Sequence, residues 1–186
     1  MGNVTVDQSN IFVIPLLKIE CSDWQNKKQK LNELSSSLKF FPRFGMSTDW
    51  GGSENEDPKC IEIIEEIFSE ELSAFKNHFS FSFARIITFW FEETQQGSFH
   101  GYHSHGVIGY SAICYLNFDK NDHLATLFTA PFFNFLNGKD LTHRPDVKEG
   151  DLLFFPSSVY HQSLPNLSSL PRKIVSFNLK VPKVTN

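Results

Sequence analysis

Between residues 60 and 79, in "CIEIIEEIFSEELSAFKNHF", Ile61, Ile64, Ile67, Phe68, Leu72 and Phe75 recur at three- and four-residue intervals with glutamates opposite. That stripe predicts an amphipathic helix. A second helix is expected over "SDWQNKKQKLNELSSSLKF" (22–40), where Leu31, Leu34 and Leu38 keep helical spacing and Ser22 and Asp23 are candidate caps. Ahead of it, "IFVIPLLKIE" (11–20) reads as a strand, and Pro15 inside it suggests an edge position. The turn-rich stretch 41–59 reads as a loop, whose "DWGG" (49–52) is a candidate lid.

After residue 80 the pattern shifts to short β-rich runs: 83–93, 109–118, 123–129, 151–157 and 172–181, with "QQGS", "NGKD", "KEGD" and "PNLSSLP" between them. Two helices followed by many short strands predict an α+β chain whose strand half is a barrel or jelly roll. We expect one domain over 1–186, with helical support in 1–80 and a β core in 81–182.

Composition narrows the class. With 186 residues, 40% hydrophobic and 20% charged, the chain reads as globular and water-soluble. Twenty phenylalanines point to a core packed by aromatics, with room for an apolar cleft. A net charge of −4, with no basic patch, argues against nucleic acid as a partner. Three scattered cysteines, Cys21, Cys60 and Cys114, argue against a disulfide framework and fit a reducing compartment. The start has no signal-peptide pattern and no apolar run approaches 18 residues, so a cytoplasmic protein without a membrane span is expected. Nothing in the pattern speaks for or against a homo-oligomer.

Three of the seven histidines, His100, His103 and His105, fall within six residues. On a strand, positions 103 and 105 share a face, and the small neighbours Ser104 and Gly106 leave room for an ion between them. His161, at the end of the apolar run 151–157 and its turn, is the distant partner that would complete a facial set of three. Imidazole suits Fe, Zn, Cu and Ni alike. An H-x-H pair alone is equally well explained by two solvated histidines. Among the other histidines, His78 reads as a cation at a helix C-terminus. His123 and His143 read as solvated, and His100, close to the pair in sequence, as an exposed loop residue or a substrate contact. Trp90, flanked by Phe89 and Phe91, reads as core, while Phe99 and Tyr102 are candidate walls of a substrate pocket.

The segment "HSHGVIGYSAICYLNF", followed by "EGDLLFFPSSVYHQSLPNLSSLPRKIVSFNL", resembles the Fe(II)/2-oxoglutarate-dependent oxygenase superfamily, and within it the short members of phages and bacteria. The resemblance covers about residues 86–180. It implies a double-stranded β-helix, the cupin-like jelly roll, with two N-terminal helices packed on one sheet. It implies Fe(II), 2-oxoglutarate as cosubstrate and O2. His103 and His161 match the first and last iron ligands. Arg172 matches the residue that pairs with the far carboxylate of 2-oxoglutarate, a task suited to a planar guanidinium. Ser176 and Tyr115 match hydroxyls that support that carboxylate, and Ser111, on the face of Tyr115, is expected to line the same pocket. His105 departs from the usual H-x-D pattern, and the resemblance to the short members favours its ligating in place of the carboxylate. No catalytic side chain beyond these ligands is expected.

The implied activity is hydroxylation of a C–H bond in a small molecule or amino-acid side chain, with release of succinate and CO2. Two alternatives stay open at this point. One is a cupin-like three-histidine metalloprotein that does not use 2-oxoglutarate. The other is a non-catalytic jelly-roll binding protein.

Overall fold

The computed structural model describes residues 13–43 and 45–182. Residues 11 and 12 of the expected first strand lie outside them. Strand β1 is Leu17–Glu20, followed by helix α1 (Trp24–Ser37), strands β2 (Phe41–Arg43) and β3 (Met46–Thr48), a 3-10 turn (Ser53–Glu56), and helices α2 (Pro58–Ile67) and α3 (Ser69–His78). The β half contains β4 (Arg85–Thr94), β5 (His100–His103), β6 (Tyr110–Asn117), β7 (Leu127–Phe133), β8 (Asp140–His143), β9 (Asp151–Pro156), β10 (Tyr160–Ser163) and β11 (Arg172–Lys180).

Among the described residues, the strands form a seven-stranded sheet, β1-β9-β6-β11-β4-β3-β2, and a four-stranded sheet, β5-β10-β7-β8. All pairings are antiparallel. The two sheets face each other as a jelly roll, and the helices cover the outer face of the larger one.

Alternation along the central strands builds two cores. Ala112, Cys114 and Leu116 of β6, Leu152 and Phe154 of β9, and Val175, Phe177 and Leu179 of β11 face Leu31, Ile64, Phe68, Leu72 and Phe75 of the helices. Ile113 and Tyr115, Leu153 and Phe155, and Ile174 face the opposite way, onto Phe128, Val147 and Val159 between the sheets. A strand buried on both faces reads as an unbroken apolar run, which is why these strands stand out in the sequence.

Several expectations need correction. The stripe at 60–79 is two helices, not one. Asp57 caps α2 by accepting from the Lys59 N–H at 2.8 Å, and Pro58 starts it. The helix breaks at Phe68, whose fully buried ring packs 5.5 Å from Phe177. The bend also lets Glu71 reach Lys27 of α1 at 2.6 Å, a buried ion pair that ties α3 to α1.

The region 1–80 is not only helical support, since it contributes β1, β2 and β3 to the large sheet. β1 does sit at an edge, beyond Pro15. The stretch 41–59 is a hairpin and a 3-10 turn rather than an open loop. Asp49 fastens it: its buried carboxylate accepts from the Phe91 N–H at 2.6 Å and from Asn55 Nδ2 at 2.7 Å. No described helix is long and apolar enough to cross a membrane.

Candidate metal centre

His103 closes β5, and directly opposite it in register stands His161 of β10. His161 thus lies on a short strand of its own, past the turn that ends β9. His105 is not on a strand. It follows β5 in the connection to β6, so the same-face rule for strands does not account for its direction.

Its direction comes from contacts. The His105 N–H donates to Ser157 O at 2.9 Å, and its ring Nδ1 lies 3.0 Å from Asn178 Oδ1. Gly109 makes this packing possible. Its φ is +95°, and a Cβ there would stand 2.6 Å from the Leu179 carbonyl oxygen, so only glycine lets the connection lie against β11.

The three Nε2 atoms converge: His105 is 3.2 Å from His103 and 3.2 Å from His161. The other nitrogen of each ring faces an oxygen acceptor. His103 Nδ1 lies 2.7 Å from Gly101 O, His161 Nδ1 lies 3.0 Å from Val159 O, and His105 has Asn178. A neutral imidazole that donates through Nδ1 is bare at Nε2. Three lone pairs therefore point at one place with no proton to share between them, an arrangement suited to a cation.

Burial, together with the neighbouring histidines, lowers all three pKa values. His103 shifts down, His105 to about 4 and His161 to about 3. The rings are thus neutral near pH 7 and ready to ligate.

Between the triad and β11 lies a narrow chamber of about 10 Å³, lined by Glu92, Thr126, Ser163, Arg172 and Ser176 among others. Arg172 is buried and donates to Ser163 Oγ and, at 3.4 Å, to Thr126 Oγ1. Its buried Nε–H finds no acceptor among the described residues. Ser176 lines the chamber on the same face of β11.

Two further expected residues stand behind the lining, and the Arg172 guanidinium lies over the Tyr115 ring, 5.8 Å from its centre. Tyr115 is fully buried behind Thr126, with its hydroxyl donating to Thr126 Oγ1 at 3.1 Å and accepting from the Thr126 N–H at 3.2 Å. Ser111 stands on the His105 side. Its hydroxyl donates to Asn178 Oδ1 at 2.7 Å and contacts Ser157 Oγ at 2.9 Å, so it steadies the acceptor of His105 instead of lining the arginine chamber.

Sequence reasoning missed Glu92, Thr126, Ser163 and Asn178, and misread two histidines. His100 is half-buried, stacked on His103 with ring centres 3.9 Å apart and bonded to Glu92. His123 is buried, and bonds the Asp119 N–H and the Leu170 carbonyl. A cleft of about 710 Å³ opens on the other side of the triad, walled by Met46, Trp50, Trp90, Phe99 and Tyr102.

Residues 88–178 match the family described as "Putative 2OG-Fe(II) oxygenase". Over its β core the chain is similar to the 2OG-Fe(II) oxygenase family. Among solved structures, an oxidoreductase of the 2OG-Fe(II) oxygenase family from Burkholderia pseudomallei aligns with TM-score 0.64 at 11% identity, over 88% of this chain and 83% of that one. A prolyl-4-hydroxylase from Pseudomonas putida aligns with TM-score 0.60 at 14% identity, over 90% and 93%. HygX from Streptomyces hygroscopicus, solved with nickel and 2-oxoglutarate, aligns with TM-score 0.65 at 11% identity, over 88% and 82%. At such low identity these likenesses speak for the fold. No curated protein matches the sequence.

The cofactors of a 2OG-Fe(II) oxygenase are Fe(II) and 2-oxoglutarate, with O2 as cosubstrate. The residues present fit both groups. Three bare imidazole nitrogens suit a divalent ion, and the orphaned donor of a buried guanidinium suits a carboxylate.

Proposed function

We propose that this protein is a 2-oxoglutarate-dependent dioxygenase that hydroxylates a C–H bond of a small molecule or an amino-acid side chain, yielding succinate and CO2. The observation that supports it best is the triad of bare Nε2 atoms, with a buried arginine across a narrow chamber. In this reading His103, His105 and His161 hold Fe(II), and Arg172, with Thr126, Ser163 and Ser176, holds the far carboxylate of the cosubstrate. Bound iron and 2-oxoglutarate supply the oxidising chemistry.

The chain's own residues do the rest. Asn178, Gly101 and Val159 keep the three Nδ1 protons in place, so no imidazole turns its N–H toward the ion. To hold the far carboxylate, Arg172 would give up Ser163 and Thr126, and the chamber, about 10 Å³ as it stands, would have to widen. The apolar walls of the outer cleft exclude water and orient the apolar part of a substrate beside the triad.

The lack of a carboxylate ligand favours a second reading, a three-histidine metalloprotein that does not use 2-oxoglutarate. Succinate release separates the two. Purified protein with Fe(II) and 2-oxoglutarate is expected to form succinate, and the His161→Ala variant to form none. Native protein that binds iron yet forms no succinate, with or without candidate substrates, would favour the second reading.

A further inference from the structure

Glu92 is buried on the inner face of β4, 4% exposed, and faces the chamber between the triad and Arg172. Its carboxylate gathers two aromatic donors. Trp90 Nε1 donates to Oε1 at 2.8 Å, and His100 Nδ1 stands 3.1 Å from Oε2. Each donor ring is in turn stacked on a member of the H-x-H pair. His100 lies against His103 at 3.9 Å and 17°, and Trp90 against His105 at 5.1 Å and 29°.

We propose that Glu92 is the outer carboxylate of the metal site, replacing the charge that a histidine at position 105 does not bring and setting both imidazoles of the H-x-H pair through the rings stacked on them. The inference rests on the metal-binding reading above. Glu92 is a positioning residue: its hydrogen bonds go to Trp90 and His100, and it acts through them.

Charge is the reason to expect more than a structural role. A dication held by two imidazoles and a carboxylate has one net positive charge; held by three imidazoles it has two. Burying that excess in a water-poor chamber is unfavourable unless an anion stands near. Burial by itself would raise the Glu92 pKa, but the hydrogen bonds from His100 and Trp90 and the charges of His100 and Arg172 outweigh it and bring it to about 2. Glu92 is therefore a fixed anion at any working pH. Arg172 is the other fixed charge on the chamber, and its terminal nitrogens are engaged with Ser163 and Thr126. In the proposed complex Glu92 would offset one of the positive charges brought by the dication and the guanidinium. Without Glu92 the chamber carries a surplus positive charge.

Titration with Co(II) alone, followed by its visible absorption bands and by calorimetry, tests this. Glu92→Gln keeps the shape and an acceptor oxygen but removes the charge. It is expected to raise the Co(II) Kd by about 10- to 100-fold, the range typical of outer partners of metal ligands. Adding His105→Asp to that variant is expected to recover about tenfold or more, and His105→Asp in the otherwise native chain, where the charge is already present, to gain less than that. A Glu92→Gln protein that folds and binds Co(II) within tenfold of native overturns the inference. Should Glu92→Gln not fold, the single His105→Asp variant decides, and a gain of tenfold or more overturns the inference. Native protein that binds no Co(II) would instead overturn the metal-binding reading itself, and this inference with it.

Discussion

His105 Nδ1 stands 3.0 Å from Asn178 Oδ1, and this contact decides which nitrogen of an off-strand histidine faces its two partners. The asparagine is itself set by the Ser111 hydroxyl, across the β6–β11 pairing of Ser111 with Asn178. Asn178→Leu removes the acceptor and frees the ring to turn. Co(II) affinity is expected to fall by about 10- to 100-fold, measured by calorimetry, with the fold retained by circular dichroism.

Arg172→Ala separates cosubstrate from metal. Truncating a buried partner of a charge-assisted contact costs about 2–5 kcal/mol, so the 2-oxoglutarate Kd is expected to rise by roughly 30-fold or more. Co(II) affinity should not fall, since Arg172 bonds Ser163 and Thr126 and none of the three imidazoles. Unchanged 2-oxoglutarate affinity would remove Arg172 from the proposed site.

Glu92 also makes stability depend on pH. Its folded pKa is about 2 against an ordinary 4.5. The unfolded chain therefore binds the proton more readily between those values. The stabilisation is complete above pH 4.5 and is lost as pH falls toward 2. Urea unfolding of the metal-free protein across this window should show a decline in stability that Glu92→Gln flattens.

Glu71→Ala leaves the Lys27 ammonium buried against α3 without its carboxylate. Removing one partner of a buried pair costs about 3–5 kcal/mol, visible as a lowered urea midpoint. Replacing both, with Lys27→Met and Glu71→Leu, is expected to recover most of that loss.

The large sheet was readable because β4, β6, β9 and β11 are buried on both faces and so appear as long apolar runs. β5, β8 and β10 have four residues each, carry histidines and polar side chains, and leave no such trace. The break at Phe68 was hidden because both halves of the stripe face the same sheet. His103 and His161 were legible as candidate ligands, whereas the direction of His105 depends on Ser157 and Asn178, far away in sequence. Nothing in "WFEET" by itself marks Glu92 as buried. The available signal was its alternation with Phe89 and Phe91 in a two-sided strand, which turns Trp90 and Glu92 toward the space between the sheets.

β11 occupies the middle of the large sheet, between β4 and β6, yet follows every other described strand in the chain. During synthesis, then, the sheet has a gap at its centre until residues 172–180 emerge. The helices have no finished surface to rest on before that moment, and Arg172 arrives on the same strand that closes the gap. With Arg172 in its proposed role, a nascent chain cannot take up the cosubstrate ahead of folding: completion of the sheet and completion of the chamber are one event.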